Sequence, residues 1–180
     1  ILDASDQLAQ LVRVAKDQEV PLEDNAPRLV LSRIGMLKNQ GLLPEEATPG
    51  GDEVGLLAHR LYAPYQAHLR GLQAVDFDDL LLLGRELLRQ AKDVRERYQH
   101  LFQHDLIDEY QDTNPLQFDL VRLLVGPHKN LCVVGDDDQA IYGFRGASVE
   151  NILSFDAHFS PCTVVKLEQN YRSTQRILRV

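Results

Sequence analysis

Two adjacent carboxylates, Asp108 and Glu109, directly follow an apolar pair near the middle of the 180-residue chain. A polar turn comes after them, which is the order expected where a buried parallel strand ends at the carboxyl edge of a sheet. An Asp there can hold Mg²⁺, and a neighbouring Glu can orient or deprotonate an attacking water. The pair therefore suits nucleotide hydrolysis, although acidic pairs also lie at helix N-termini, where they offset the macrodipole.

A second polar stretch follows the next apolar run. Gly135 allows the chain to turn sharply, and Gln139 is a neutral side chain that can bond a phosphate oxygen and a water. Tyr142 and Phe144 lie beside Arg145, and aromatic rings next to an Arg suit stacking on unpaired bases. Taken alone, the two rings favour an ordinary role in packing the loop onto the core, because aromatic side chains are usually buried.

A third polar stretch follows an apolar run at residues 163–167. Arg172 lies just before a predicted helix, where an Arg can stabilise charge on a transferred phosphoryl group. Tyr171 beside it can stack on a purine. An Arg that caps the helix or pairs with a carboxylate is an equally good interpretation of Arg172 alone.

Helices are predicted throughout the first hundred residues, where no strand pattern occurs. Apolar periodicity predicts helices over residues 3–18, 27–40 and 53–70, the first capped by Ser5. Its predicted apolar stripe is Leu8, Leu11, Val12 and Ala15. Asp76 is expected to cap a fourth helix that is well buried through its leucines at 80–83 and 87–88, and Asp93 a short fifth one.

Strands and helices alternate in the second half of the chain. Strands are predicted at residues 106–107, 131–134 and 163–167. Asn114 with Gln117 forms a predicted capping box, Ser148 is expected to cap a helix through about residue 155, and Ser173 another. Strands separated by helices indicate a parallel sheet with right-handed crossovers.

Composition narrows the class of protein. A net charge of −8 argues against general attraction to nucleic acid but leaves room for a local DNA groove. Cys132 and Cys162 do not make a disulfide framework, and no apolar run is long enough to span a bilayer. We expect a cytoplasmic, nucleoid-associated protein, and we interpret the chain, which begins without Met, as a piece of a longer one.

Four stretches together resemble the superfamily 1 DNA helicases of the UvrD/Rep/PcrA type. They are residues 76–80, 107–114, 134–147 and 167–174, in the order of that family's motifs Ib, II, III and IV. The resemblance implies an α/β fold: part of the parallel sheet of a RecA-like P-loop NTPase, with an N-terminal all-helical subdomain. Residues 1–72 would be the helical 1B-like subdomain, 73–170 the C-terminal half of RecA-like domain 1A, and 171–180 the start of the second RecA-like domain.

The resemblance also implies roles for the residues at the ATP site. Asp108 would coordinate the Mg²⁺ of bound ATP, Glu109 would activate the attacking water, and Gln139 would sense the γ-phosphate. Tyr171 would stack on adenine, and Arg172 would be an arginine finger.

Single-stranded and duplex DNA are the partners that the resemblance implies, and no membrane is expected. Tyr142, Phe144 and Arg145 would contact single-stranded DNA, and ATP hydrolysis would drive 3′→5′ unwinding in repair or replication. Proteins of those pathways are further expected partners.

Three departures from the family pattern stand out. The chain contains no Gly-x-x-x-x-Gly-Lys-Ser/Thr, since Leu56 follows Gly50 and Gly55 where Lys is needed, so we expect no ATP hydrolysis by these residues alone. Phe144 stands where the family usually has Trp. Asp105 puts a charge in a strand that is normally apolar, at a cost unless it is paired.

Two other classes of function stay open. One is a binding module derived from a helicase that attaches to DNA or protein without chemistry. The other is a metal-dependent nuclease that would use Asp108 with Asp136, Asp137 and Asp138. The nuclease is less favoured, because three successive Asp side chains in a turn cannot all point towards one metal site.

Overall fold

A computed structural model describes residues 1–23 and 25–179, except the side chain of Arg145. This part of the chain is mostly helical, with a small two-stranded parallel sheet. Its helices are α1 (Ala4–Asp17), α2 (Ala26–Asn39), α3 (Glu53–Gly71), α4 (Phe77–Gln90), α5 (Lys92–Leu101), α6 (Pro115–Leu124), α7 (Glu150–Leu153), α8 (Phe155–His158) and α9 (Gln175–Leu178). Its strands are β1 (Asp105–Ile107) and β2 (Leu131–Val133). No helix within these described ranges is long and apolar enough to cross a membrane.

Helices α1 to α3 pack around one apolar core, as their periodicity predicts. Its fully buried members include Leu11, Val30, Ile34, Leu61 and Tyr65. The stripe predicted for α1 is partly wrong, because Val14 is buried while Val12 is exposed.

Ser5 is not the cap of α1. The carboxylate of Asp3 accepts hydrogen bonds from the backbone N–H groups of Ser5 and Asp6, each at 2.8 Å. Asp3 lies just before the first turn, where a side-chain oxygen can reach these otherwise unpaired donors. The same bonds lower the pKa of Asp3.

The cap of α4 is as predicted, but the predicted burial of its leucines is wrong. Asp76 and Asp79 form a reciprocal capping box at the start of the helix. Leu82 and Leu88 are buried and Leu81 is half-buried, while four other apolar side chains are exposed: Phe77, Leu80, Leu83 and Leu87. Helix α4 packs through one side against α2 and α6, so only part of its wide apolar arc is covered.

A buried ion cluster joins the core of α1 to α3 to the start of α4. Lys38 in α2 is 0% exposed, and its Nζ donates to Asp76 Oδ2 at 2.6 Å and to Asp79 Oδ1 at 2.8 Å. From α3, Tyr65 donates to Asp76 at 3.3 Å and Gln66 donates to Asp79 at 2.7 Å. Each buried carboxylate thus has both a counter-ion and a further donor, which is what burial of charge requires.

Strands β1 and β2 are parallel, with Asp105 opposite Leu131 and Ile107 opposite Val133, as the first two strand predictions require. Between them, α6 begins with the predicted capping box of Asn114 and Gln117. Asp105 is the first residue of β1, and its Oδ2 is buried without a hydrogen-bond partner in the described structure.

The predicted third strand is wrong. Residues 163–167 have no strand assignment, and Val164, Val165 and Leu167 are exposed. A strand exists only through pairing with another, and no partner for this segment lies within the described ranges.

Three predicted caps are also wrong. Ser148 uses its backbone N–H to donate to Thr113 O at 2.9 Å, and two short helices, α7 and α8, follow in place of one. Asp93 lies within the first turn of α5, after Ala91. Thr174, and not Ser173, precedes α9.

Replacing Lys38 by Met should lower the free energy of unfolding by about 3–5 kcal/mol, because Asp76 and Asp79 would keep their buried charges without a counter-ion. Urea denaturation measures the change. Lys92→Met is the matched control, since Lys92 is largely exposed in a pair with Glu96, and its loss should cost less than about 1 kcal/mol. Equal effects of the two substitutions would contradict a structural role for the cluster.

Candidate active site

The acidic pair lies at the carboxyl end of β1, as predicted. Val134 donates its N–H to Ile107 O at 2.8 Å, and Tyr110 donates to Val134 O at 3.0 Å, so the ladder continues past both strands. Asp108 and Glu109 are exposed between these bonds. The Asp108 carboxylate accepts the N–H of Glu109 at 2.9 Å. Both side chains are therefore available to a ligand at the sheet edge.

Glu109 has a left-handed backbone, with φ of 51°. A residue with a Cβ adopts that conformation at a cost of about 1–3 kcal/mol, and such strain often lies at functional sites. The turn that follows is a 3₁₀ turn over Tyr110–Asp112, in which the buried Tyr110 ring packs edge-on against Phe155 with centroids 5.6 Å apart. Burial raises the pKa of Tyr110 to about 12. The strained residue is thus followed directly by a buried anchor.

A cavity of about 380 Å³ opens beside the acidic pair. Asp108, Glu109, Asp112 and Gln117 supply its polar groups, and residues of β1 and α6 supply its apolar wall. One carboxylate oxygen of Asp112 is buried without a hydrogen-bond partner in the described structure. The cavity combines two exposed carboxylates with an amide, which suits a polar ligand that carries a cation.

Gln111 connects the ends of the two strands. Its side chain is 1% exposed, its Nε2 donates to Glu109 Oε2 at 2.8 Å, and its Oε1 accepts the Asp136 N–H at 3.1 Å. A Cβ on Gly135 would lie 2.6 Å from that Oε1, so glycine is needed here for close approach, not only for turning. Gln111 was not predicted to have a role. Its polar side chain, two residues after the acidic pair, was the signal that could have indicated one.

Gln139 belongs to the same hydrogen-bonded group. Its Nε2 donates to Asp136 Oδ2 at 2.6 Å, and the other Asp136 oxygen accepts the Asp138 N–H at 3.1 Å. A chain of bonds therefore runs from Glu109 through Gln111 and Asp136 to Gln139. The sequence predicted a role for Glu109 and for Gln139, but not the hydrogen bonds that connect them.

The metal-dependent nuclease hypothesis receives no support from the geometry. Among the residues whose placement is described, no group of three or more His, Cys, Asp or Glu side chains could hold a metal ion. Asp136 instead uses both its carboxylate oxygens within its own loop.

The Gly50 to Gly55 spacing does not form a phosphate loop. The Gly55 N–H donates to Asp52 Oδ1 at 2.7 Å, because Asp52 caps α3. An acidic side chain thus takes the donor that an anion would need.

An open groove of about 630 Å³ lies on the other side of Asp112 and Gln117. Tyr142 and Phe144 line it, with Asn39 and Asp78 among the opposing polar groups. Phe144 is 75% exposed, so the interpretation that both rings pack into the core is wrong. Burial raises the pKa of Asp78, against a hydrogen bond from Asn39 that lowers it. Aromatic rings facing neutral amides suit flat, polar ligands such as nucleobases.

Asp112 and Gln117 line both the cavity and the groove. A chain of bonds continues from Gln117 into the groove wall. Gln117 Oε1 accepts from Asn114 N at 3.0 Å, Asn114 donates to Asn39 at 2.7 Å, and Asn39 donates to Asp78 at 3.0 Å. This chain of bonds therefore joins Gln117, which lines both openings, to the polar wall of the groove.

Tyr171 and Arg172 line neither opening. Tyr171 is largely exposed and donates to Gln169 at 2.9 Å, while the Arg172 N–H donates to Asn170 at 3.0 Å. The structure does not bring these two side chains to the acidic pair. The side chain of Arg145, predicted to contact DNA, lies outside the described residues.

Comparison with known proteins gives one family and several close relatives. The family model described as UvrD/REP helicase N-terminal domain matches residues 1–160. An ATP-dependent DNA helicase PcrA from Leuconostoc citreum is 44% identical over 99% of this chain, and one from Staphylococcus aureus is 42% identical over the same share. The chain spans about a quarter (24%) of the length of these relatives.

Gly135→Ala should lower the free energy of unfolding by about 1–3 kcal/mol, because the new methyl group would overlap Gln111 Oε1 and Ile152 Cδ1. Chemical denaturation measures the change. Gly84→Ala is the control, since nothing lies within 4 Å of a Cβ built there in α4, and it should stabilise by about 0.5–1 kcal/mol. A neutral or stabilising Gly135→Ala would contradict the packing described here.

Proposed function

The chain belongs to the UvrD/REP helicase N-terminal domain family, and from that premise we propose that it is part of an ATP-dependent DNA helicase. The relatives that carry this name are about four times as long as the chain. The activity proposed is therefore that of a protein of the relatives' length that includes these residues, called the whole protein below. The observation that carries the proposal is the exposed pair of Asp108 and Glu109 at the end of β1. Glu109 is linked through Gln111 and Asp136 to Gln139.

ATP hydrolysis is the chemistry that this site suits. The oxygen of a water forms a bond to the γ-phosphorus while the bond from that phosphorus to the β,γ-bridging oxygen breaks. ADP leaves with the bridging oxygen, and the water oxygen stays on the released phosphate. Glu109 orients the water and accepts its proton, since its carboxylate is exposed to the cavity. Gln139 lies in the loop that follows β2 (residues 134–139, the β2 loop). We propose that its side chain contacts the γ-phosphate and so senses whether ATP is bound.

Mg²⁺ fits the donors at this edge of the sheet. The ion is commonly bound through one or two carboxylates, with phosphate oxygens and waters completing its shell. Asp108 is one exposed carboxylate in that position, and Asp112 also lines the cavity. When bound, the ion neutralises charge that builds up on the phosphates. Asp108 would hold it, and Glu109 would act on the water.

The proposed architecture is the partial parallel sheet of a RecA-like P-loop NTPase with an all-helical subdomain before it. The order of β1, α6 and β2 and their parallel register support this class of fold. We keep 1–72, 73–170 and 171–180 as the proposed divisions. We also propose that Tyr171 stacks on adenine and that Arg172 is the arginine finger. Neither side chain lines the described cavity, so each role requires a surface beyond it.

Single-stranded DNA is the proposed ligand of the groove. Exposed Phe144 beside Tyr142 offers faces on which bases can stack, and the amide of Asn39 can bond base edges. Asp78 makes the groove unfavourable for phosphate, so the backbone must run along another surface. Movement in the 3′→5′ direction, duplex unwinding, and work with repair or replication proteins complete the proposed role.

A binding module without chemistry is the second candidate. Its supporting observation is that residues 1–180 contain no phosphate-binding Gly-Lys-Ser/Thr loop. Under this alternative the groove would bind single-stranded DNA while the acidic pair stays idle. ATP turnover by the whole protein separates the two candidates.

Glu109→Gln in the whole protein should reduce DNA-stimulated ATP turnover by at least about 100-fold, since the water loses its proton acceptor. ATP binding should persist, because Asp108 and the phosphate contacts remain. Steady-state phosphate release and nucleotide titration measure the two quantities. Glu150→Gln, in α7, is the control and should leave turnover unchanged. Normal turnover in Glu109→Gln would reject the assignment.

Phe144→Ala should weaken binding of single-stranded DNA by about 5- to 150-fold, corresponding to the loss of about 1–3 kcal/mol from one base stack. Fluorescence anisotropy with a labelled oligonucleotide measures the affinity at fixed salt. Leu153→Ala is the control, because Leu153 is also an exposed apolar residue but lies away from the groove. An unchanged affinity in Phe144→Ala would remove the groove from the DNA path.

A further inference from the structure

Gln111 bonds both Glu109 and the backbone of Asp136, but the proposed mechanism of ATP hydrolysis gives it no part. We infer that Gln111 is a positioning residue: its buried amide fixes the Glu109 carboxylate relative to the β2 loop that carries Gln139. The inference deepens the proposed ATP hydrolysis and rests on that function. Gln111 itself is 1% exposed, so it acts on the reaction through Glu109 and not by touching the substrate.

The chemistry of its two partners fixes the orientation of the amide. A carboxylate oxygen of Glu109 can only accept, and the backbone N–H of Asp136 can only donate. The amide therefore directs Nε2 towards Glu109 at 2.8 Å and Oε1 towards Asp136 at 3.1 Å. With the amide flipped, Oε1 would face the Glu109 carboxylate, which is also an acceptor, and Nε2 would face the Asp136 N–H, which is also a donor. Only one orientation therefore satisfies both bonds.

Packing holds the Gln111 side chain in this place. Gly135 comes so close that even a Cβ would lie 2.6 Å from Oε1 and 3.3 Å from the backbone N of Gln111. The backbone of the next residue, Asp112, donates to Glu109 O at 2.9 Å, which closes the 3₁₀ turn. The amide is thus confined between the strained Glu109 on one side and the start of the β2 loop on the other.

The consequence for Glu109 is a restricted carboxylate. An exposed Glu samples several rotamers, and only some aim its oxygens at a given water. The Gln111 bond fixes Oε2, which leaves Oε1 as the free oxygen for the proton. The same amide bonds the backbone of Asp136, whose carboxylate holds Gln139 at 2.6 Å. A change in the position of Gln139 therefore reaches Glu109 through two intervening residues, Asp136 and Gln111.

The test uses the whole protein and two substitutions at this position. Gln111→Met has a similar length and removes both bonds. Gln111→Glu keeps an oxygen for the Asp136 N–H and, once ionised, places a carboxylate against Glu109. Burial favours its protonated form, which could still donate to Glu109, so kcat is measured at about pH 9, where the new carboxyl ionises. Each should lower kcat for DNA-stimulated ATP hydrolysis by about 10–100-fold, the usual loss when a supporting hydrogen bond is removed from a catalytic group. The KM for ATP and the affinity for single-stranded DNA should change by less than about threefold.

Gln66→Met is the matched control. Gln66 is also buried and also donates to a carboxylate, Asp79, but that bond lies in the Lys38 cluster. Its replacement should lower the melting temperature and leave kcat unchanged at a temperature where the variant is folded. If Gln111→Met does not fold, Gln111→Glu carries the test, because it preserves the shape of the side chain and the bond to Asp136.

Each outcome has a distinct meaning. A kcat within about twofold of the wild type in Gln111→Glu overturns the inference, as does an equal loss of kcat in folded Gln66→Met. A loss of kcat accompanied by an equal rise in KM would indicate disrupted ATP binding and would also overturn it. Glu109→Gln, measured in parallel, separates the levels: if it stays active, the proposed role of Glu109 fails and this inference fails with it. If it is inactive while the Gln111 variants are normal, only the positioning role is lost.

Discussion

The position of α4, and with it the wall of the groove, depends on the burial of Lys38. Its ammonium group lies between Asp76 and Asp79, which also form the cap of α4. Removing three charges from water is costly, so the cluster is weak evidence for stability but a strong constraint on geometry. Any other placement of α4 would leave a buried charge unpaired. Asp78 lies between the two paired residues, and the groove wall is therefore fixed by the same interaction that fixes the helix.

A second constraint lies at the strand ends. Glu109 in the left-handed region, Gly135 without room for a Cβ, and the buried amide of Gln111 are each unfavourable or restrictive alone. Together they define one arrangement, since the amide can satisfy both neighbours only when the two chain segments approach this closely. Strain of this kind persists where the surroundings over-determine it. Here Gln111 contributes through its two hydrogen bonds, one to Glu109 and one to the backbone of Asp136.

Helix caps were predicted correctly at two helices and wrongly at four, and features that depend on distant partners were missed. The capping boxes of α4 and α6 are set by residues three apart, so Asp76 and Asn114 were identified correctly. The leucines of α4 form a wide apolar arc, but which of them are buried depends on where α2 and α6 lie. Residues 163–167 have the composition of a strand, yet a strand requires a neighbour with which to pair. Gln111 was overlooked because its partner, Asp136, is 25 residues away in the chain.

The wall between the cavity and the groove offers a physical route for coupling them. Gln117 lies in the first turn of α6, lines both openings, and is bonded through Asn114 to Asn39 in α2. A displacement of the start of α6 would therefore change the shape of both openings at once, without a chain of successive side-chain movements. Coupling of this kind needs an element with two discrete positions that each ligand prefers differently. Gln117 at the start of α6 and Asp112 just before that helix line both openings. A ligand in either opening would therefore contact the same two side chains.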